Sequence, residues 1–456
     1  MSLSSLLGIA RSALSASQLE LDVTGNNIAN ATRDGYTRQR ARLQASTPLA
    51  TPIGQLGTGV TVAGVDRLRD GFLDATYRSE NSLLGGFTAK SDTLGQIESV
   101  LGEPSDTGLA STLDAFWSSW SDLASDPTGS ANRAVVRQRG QALALQLNSL
   151  GQRVDRVRAD TLSQLTQDVG TVNSLAQQLA DLNRQIAAAE SGGKTAPDLD
   201  DARDTVLDQL SQLAPVRTVT REQGSIGVYL GDTMIVDGGT TRALSLTTNA
   251  DGTIGVWAAD SPRPVDLASG KLEAEVSLVS TDLPAITKQL DDLAQALVTS
   301  VNAVHQSGYG ATGQTGVPFF DPAGTTAETI ALSAPVQASA DAVAASATGA
   351  PGDATVAQRI AALADAPVAS LGNRSINAAY GDLVTNLGSD VNDATGRATA
   401  QQTLVTQVQT QRSSSDGVST DEELVNLITF QQSYSAAARV ITAANQMMQY
   451  LLQAVQ

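Results

Sequence analysis

Cysteine is absent from all 456 residues, which removes disulfides, thiolate zinc sites and thiol nucleophiles together. The single histidine, His305, excludes a histidine metal cluster. A serine triad would have to draw on that one residue, and no G-x-S-x-G elbow occurs anywhere. Aromatic residues make up only 4%, so the core must be built from small and unbranched aliphatic side chains, which suits helix-on-helix packing. Basic residues are outnumbered, and the net charge of −18 with a pI near 4.4 argues against nucleic acid or anionic membrane as a partner. No run of eighteen or more apolar residues exists to span a bilayer. The start lacks the basic, apolar and A-x-A segments of a signal peptide, so the cytoplasm is the plain expectation, although dedicated secretion machines export chains without a cleaved signal. Neither cofactor nor metal is expected.

What is present is a matching pattern at the two ends. Positions spaced alternately four and three run Leu3, Leu7, Ala10, Leu14, Ser17, Leu21, Thr24 and Ile28. A similar rhythm gives Leu424, Leu427, Gln431, Tyr434, Ala438, Ile441, Asn445, Met448, Leu452 and Val455. Seams sustained over this length argue for coiled coil. The first nineteen residues carry only Arg11, and Leu424 to Gln456 only Arg439, so the outer faces suit helices surrounded by helices. The bland alternative is that the ends pack on their own domain.

Between the ends the chain reads as mainly α with an inserted antiparallel β-domain. A Gly/Pro/Thr-rich run from Asp34 to Gly59 ends in a short strand, Val60-Thr61-Val62. A helix from Asp70 to Leu101 is interrupted by Gly85-Gly86, and Ser111–Ser125 forms a helix stopped by Asp126-Pro127. The longest helix, Ala131 to Glu190, changes register between Val157 and Leu162, as a stuttered coiled coil does. Asp200–Leu213 is helical, and from Pro215 the period becomes two, with six strands ending at Ala274–Leu278 and turns such as Asn249-Ala250-Asp251-Gly252. Helix returns from Asp282 to His305. The Ala/Ser/Gly-rich tract Ala338–Thr355 reads as loosely packed surface. A second long helix through Tyr380, Leu387 and Val408 would run antiparallel to the first. Thr420-Asp421-Glu422-Glu423 caps the terminal helix. The domain scheme is therefore a terminal coiled-coil region (1–45 and 413–456, disordered in the lone chain), a helical rod domain (46–214 and 281–412) and a small all-β outer domain (215–280).

Enzymatic readings fail. Gly193-Lys194-Thr195 ends like a P-loop, but the required first glycine is Ala188 and a helix precedes it. Asp200-Asp201 and Asp291-Asp292 are adjacent on helices and read as solvated faces. Trp117 and Trp120, with Phe116, read as core, and His305 as a helix-end residue.

The stretch Asn26-Asn27-Ile28-Ala29-Asn30-Ala31-Thr32-Arg33-Asp34-Gly35-Tyr36-Thr37-Arg38-Gln39 closely resembles the N-terminal signature of bacterial flagellar axial proteins, a group of rod, hook and hook-associated subunits. Within it, Asn30 would end the helix, Gly35 would take a positive φ and Tyr36 would anchor the turn. Asp421 to Ile441 is similar to the C-terminal end of the same group. Phe116–Ala124, Val172–Asn183, Arg203–Leu210 and Leu290–Gly308 resemble the interior of its hook-associated members, which sets the chain apart from hook and distal-rod proteins. The alternative from another class is a cytoplasmic coiled-coil adaptor. The resemblance implies a non-enzymatic structural subunit joining hook to filament. It also implies type III export, a dedicated export chaperone on the C-terminal segment, and a self-assembled ring contacting hook protein and other hook-associated proteins. The expected assembly residues are Leu3, Leu7, Leu14, Leu21, Asn26, Asn27, Ile28, Asn30, Gly35 and Tyr36, with Leu424, Leu427, Tyr434, Ala438, Ile441, Met448 and Leu452.

Overall fold

A computed structural model describes residues 3–51, 54–249 and 252–454. Seam position Val455 and turn residues Ala250 and Asp251 lie outside these. The chain opens with helix α1 (Leu3–Asn30), followed by strands β1 (Gln39–Ala45), β2 (Leu49–Thr51), β3 (Gly54–Leu56) and β4 (Val60–Arg67). β1 pairs antiparallel with β4, and β2 with β3 at the tip, so the Gly/Pro-rich run forms a long hairpin. Helices α2 (Gly71–Leu101), α3 (Leu109–Ser125), α4 (Ser130–Glu190) and α5 (Pro197–Leu213) follow. Strands β5 (Val216–Thr220), β6 (Ile226–Leu230), β7 (Thr233–Asp237) and β8 (Thr240–Thr241) form one antiparallel sheet in sequence order. β9 (Leu244–Thr248) and β10 (Ile254–Ala258) form a separate hairpin. Then come α6 (Lys271–Ser277), a π-helical turn at 278–282, α7 (Leu283–His305), short α8 (Ala334–Ala338) and α9 (Thr355–Ala361), long α10 (Ile376–Asp416) and α11 (Thr420–Ala454). Among the described residues no helix is long and apolar enough to cross a membrane.

Helix α4 crosses two cores. Its first half, Leu143 to Val157, packs with α3, α7, the 319–345 loop and the start of α10. Its second half, Leu165 to Ala180, packs with α5 and the strands. The buried row steps 143, 147, 150, 154, 157 and then 161, 165, 169, so an extra four-residue step sits where one core gives way to the other. The register change read from sequence is the domain seam itself. Strands 216–258 share a core with the second half of α4 and with α5.

Other expectations change with packing. Ala274–Leu278 is helix, because an Ala-Glu-Val-Ser-Leu run also satisfies a helical stripe and Gly270 (φ +100°) starts the turn before it. Gly85-Gly86 does not interrupt α2, although glycine costs a helix interior about 1 kcal/mol. A Cβ on Gly85 would lie 2.1 Å from the Gln212 carbonyl oxygen, and one on Gly86 3.1 Å from that of Gly270, so the pair admits two backbones against the helix. The Ala-rich tract is not loose surface, since Ala342 to Ala345 are buried. Small side chains let that loop enter the core. Helix α10 runs antiparallel along α2, not α4. Gln401 Nε2 donates to the Glu80 carbonyl (3.0 Å), and the Ser91 and Thr395 hydroxyls meet at 2.9 Å. The α11 cap is Ser419, whose hydroxyl accepts from the Glu422 amide, one residue before the expected Thr420. Phe116, Trp117 and Trp120 form core with Phe319 and Phe320, as expected. His305 joins them fully buried, its Nδ1 2.7 Å from the Val317 carbonyl and its Nε2 accepting from the Ala344 amide at 2.9 Å. Burial pushes its pKa down to about 4, so it is neutral and structural.

Candidate assembly interface

Helices α1 and α11 pack along each other, which fixes how the two seams are used. On α1 the buried positions are Ala10, Ala16, Ser17, Val23, Thr24 and Asn27, while Leu3, Leu7, Leu14, Leu21 and Ile28 are half-covered. On α11 the buried positions are Glu423, Ala437 and Ala444, with Phe430 completing the heptad row and Leu427, Ala438 and Ile441 half-covered. The expected C-terminal seam is therefore split. The row turned toward α1 is Glu423, Phe430, Ala437 and Ala444, none of them on the expected seam, whose members Leu424 (51% exposed), Met448 and Leu452 (64%) face outward with Val425 and Ile428. Tyr434 lies on the margin. Alanine and serine at the contact allow close helix approach, so the larger side chains are left on the flanks.

The signature turn clamps this pair to the body. Asn27 uses its whole amide. Its Nδ2 donates to the Gln39 carbonyl (2.9 Å) and to Glu423 Oε2 (3.0 Å), and its Oδ1 accepts from the Gln39 amide (3.0 Å) and the Tyr36 hydroxyl (2.9 Å). Asn26 donates to the Tyr36 oxygen, and Asn30 folds back on the Asn26 side chain at 2.9 Å. Burial, then Asp198, Asp201 and Glu423 nearby, push the Tyr36 pKa up to about 12, which keeps its donor proton. Gly35 holds φ +78°, and a Cβ there would also meet Thr205 Oγ1 at 2.7 Å. Arg38 binds Glu423 Oε1 through Nη2 (2.7 Å) and Glu422 through Nη1 (2.8 Å), and its amide donates to the Asp416 carbonyl (2.9 Å). The Thr37 amide donates to Asp201 Oδ2 (3.0 Å), and Gln39 Nε2 to Asp198 (2.8 Å). One turn thus touches α1, α5, the end of α10 and the start of α11.

Below it lies an ion-pair network the sequence reading missed. Asp204 accepts from Arg67 (2.8 Å), Arg69 (2.7 Å) and Arg78 (2.9 Å), while Asp208 binds Arg78 and Arg412, both at 2.8 Å. Arg412 also reaches Asp74 at 2.7 Å, and Arg67 reaches Asp201 at 2.7 Å. Burial would raise the Asp204 carboxyl, but the surrounding Arg69, Arg67 and Arg78 hold it below the usual range. Asp200 pairs with Arg203 at 2.6 Å. Asp200-Asp201 is therefore no solvated face, and Asp291 likewise accepts from the Ala327 amide, whereas Asp292 does face solvent beside Lys288. The missed signal was arginine, at Arg67, Arg69, Arg78 and Arg412, whose acidic partners on α5 lie more than 100 positions away in sequence. No group of three or more metal-ligating side chains occurs among the described residues. Thr195 instead ties its loop to the hairpin, donating to the Val65 carbonyl.

Comparison with known proteins agrees with this anatomy. Residues 94–320 match the model "Flagellar hook-associated protein FlgK helical domain". Residues 7–37 match "Flagella basal body rod protein", and 409–454 match "Flagellar basal body rod FlgEFG protein C-terminal". The chain is 31% identical to flagellar hook-associated protein 1 of Bacillus subtilis, covering 97% of this chain and 96% of that one. It is 26% identical to its namesake from Escherichia coli K12, covering 97% and 98%. In fold it is similar to the flagellar hook junction protein of Burkholderia pseudomallei, with a TM-score of 0.66 at 16% identity, over 76% of this chain and all of that one.

Proposed function

The chain belongs to the flagellar hook-associated protein 1 family, a structural subunit of the bacterial flagellum joining hook to filament, and on that premise we propose that it assembles through the outward row of α11 together with α1. The observation carrying this is the split seam. The α1–α11 pair buries one row within the chain and leaves Leu424, Val425, Ile428, Met448, Leu451 and Leu452 exposed on a helix whose only charge beyond its acidic first turn is Arg439. Such a face is stable only against another charge-poor helix. Copies of this chain would form a ring on the hook, outside the cell, and the export chaperone would hold the same C-terminal face beforehand. The hook protein and other hook-associated proteins would be the axial neighbours. No catalytic step is assigned.

Substituting Leu424→Asp and Leu452→Asp tests this. Both side chains are exposed in the single chain, so folding and solubility should hold. In the assembly each carboxylate would be buried unpaired, at a cost of several kcal/mol. Cells should build hooks, secrete the protein and lack filaments. Normal filaments and swimming would refute the assignment. Ile441→Asp is a weaker probe, because Ile441 is already half-covered within one chain.

A further inference from the structure

We propose that Met447 and Met448 form a peroxide-sensitive modification site, where sulfoxide formation reversibly blocks this helix from joining its neighbours. The inference rests on the assembly role just assigned to the outer face of α11. With no cysteine in the chain, the four methionine thioethers are its only divalent sulfur. Two of them are adjacent, and they lie 44% and 40% exposed near the end of α11 beside exposed Tyr450, Leu451 and Leu452. Met234 is an internal contrast: it sits in β7, part-covered, with its sulfur 3.6 Å from the Arg221 guanidinium. The thioether lone pair attacks one peroxide oxygen. An S–O bond forms, the O–O bond breaks and water leaves, so sulfur is oxidised by two electrons and hydrogen peroxide is reduced. A flexible apolar side chain becomes a polar one on a helix whose neighbours must be apolar. Burying a sulfoxide oxygen without a donor should weaken association about tenfold per methionine. Free subunits are the vulnerable state, because assembly would cover both sulfurs.

The test uses the full chain, hydrogen peroxide and isolated hooks. Peptide mass spectrometry should show Met447 and Met448 oxidised several-fold faster than Met234. Oxidised protein should bind hooks at least tenfold more weakly, and methionine sulfoxide reductases A and B with dithiothreitol should restore binding. Whatever its untreated affinity for hooks, the Met447→Leu/Met448→Leu double variant should lose none of it on peroxide treatment. Undiminished binding by protein whose Met447 and Met448 are both sulfoxide would overturn the proposal while leaving the assembly face intact. Loss of binding by the leucine variant after peroxide would also overturn it, since another site would then be responsible. Failure of the untreated wild type to bind hooks would instead refute the assembly role itself.

Discussion

At the scale of single residues, Asn27 and Glu423 carry the junction. Asn27 is 1% exposed and all four of its hydrogen-bonding capacities are filled, so Asn27→Ala strands the Gln39 amide and weakens the hold on a buried carboxylate. A loss of about 2 kcal/mol is expected in urea unfolding. Unchanged stability would show that water replaces the amide at no cost. Glu275 offers a pH test. It is buried against Asp168 and Lys271, one of its oxygens has no partner, and burial first, then Asp168, pushes its pKa up to about 8. The unfolded chain releases this proton near pH 4.5 and the folded chain only near pH 8. The stability it contributes is complete below about pH 4.5 and falls as pH rises through 8. Glu275→Gln should flatten that decline, making the variant the more stable protein at pH 9. Parallel melting-temperature curves from pH 5 to 9 would rule the account out.

Elements show where stability concentrates. Helix α2 is held by glycine contacts and by ion pairs at Asp74 and Arg78, so Gly85→Ala should push α5 away, the new methyl meeting Gln212 backbone. A destabilisation of about 1–3 kcal/mol is expected by denaturant titration. Wild-type stability would mean the helices can part freely. Helices α1 and α11 are the opposite case: charge-poor, joined by small residues, and shielded on one side only. We expect their amides in the free subunit to exchange within seconds, while those of α4 stay protected for hours, as low- and high-stability units do. Slow exchange from Leu427 to Leu452 in a verified monomer would contradict this.

For the whole molecule, the decisive feature is that α4 serves two cores. Cutting out 215–268 and joining the ends with a Gly/Ser linker bares Leu165, Val169, Val172 and Leu175 on α4 and Leu207 and Leu210 on α5. The shortened protein should aggregate or lose helicity in that half, as measured by circular dichroism and light scattering. A soluble, fully helical product would restore the view of the strands as a detachable domain.

Periodicity, composition and one signature were local enough to be legible in the sequence. The 3.6-residue stripes gave the helices, the stutter marked the core boundary, and the turn glycines and alternating strands gave the sheet. The absence of cysteine and the single histidine argued against thiol and histidine-metal chemistry, and the Asn26–Gln39 signature pointed to the flagellar group. What the sequence could not decide was which of two heptad rows would turn inward on α11. The row with the larger apolar side chains stays outside, because Ala437 and Ala444 fit against α1 and Glu423 meets Asn27 and Arg38. The same holds for Ala274–Leu278, whose pattern suits strand and helix until Gly270, just ahead of it, packs its backbone on Gly86 of α2. Arg38 pairs with Glu423 and Arg412 with Asp74, and no local rule pairs charges hundreds of positions apart. Hydrophobic spacing is written along the chain, whereas the pairing of charges and the choice of face are settled only when distant segments meet.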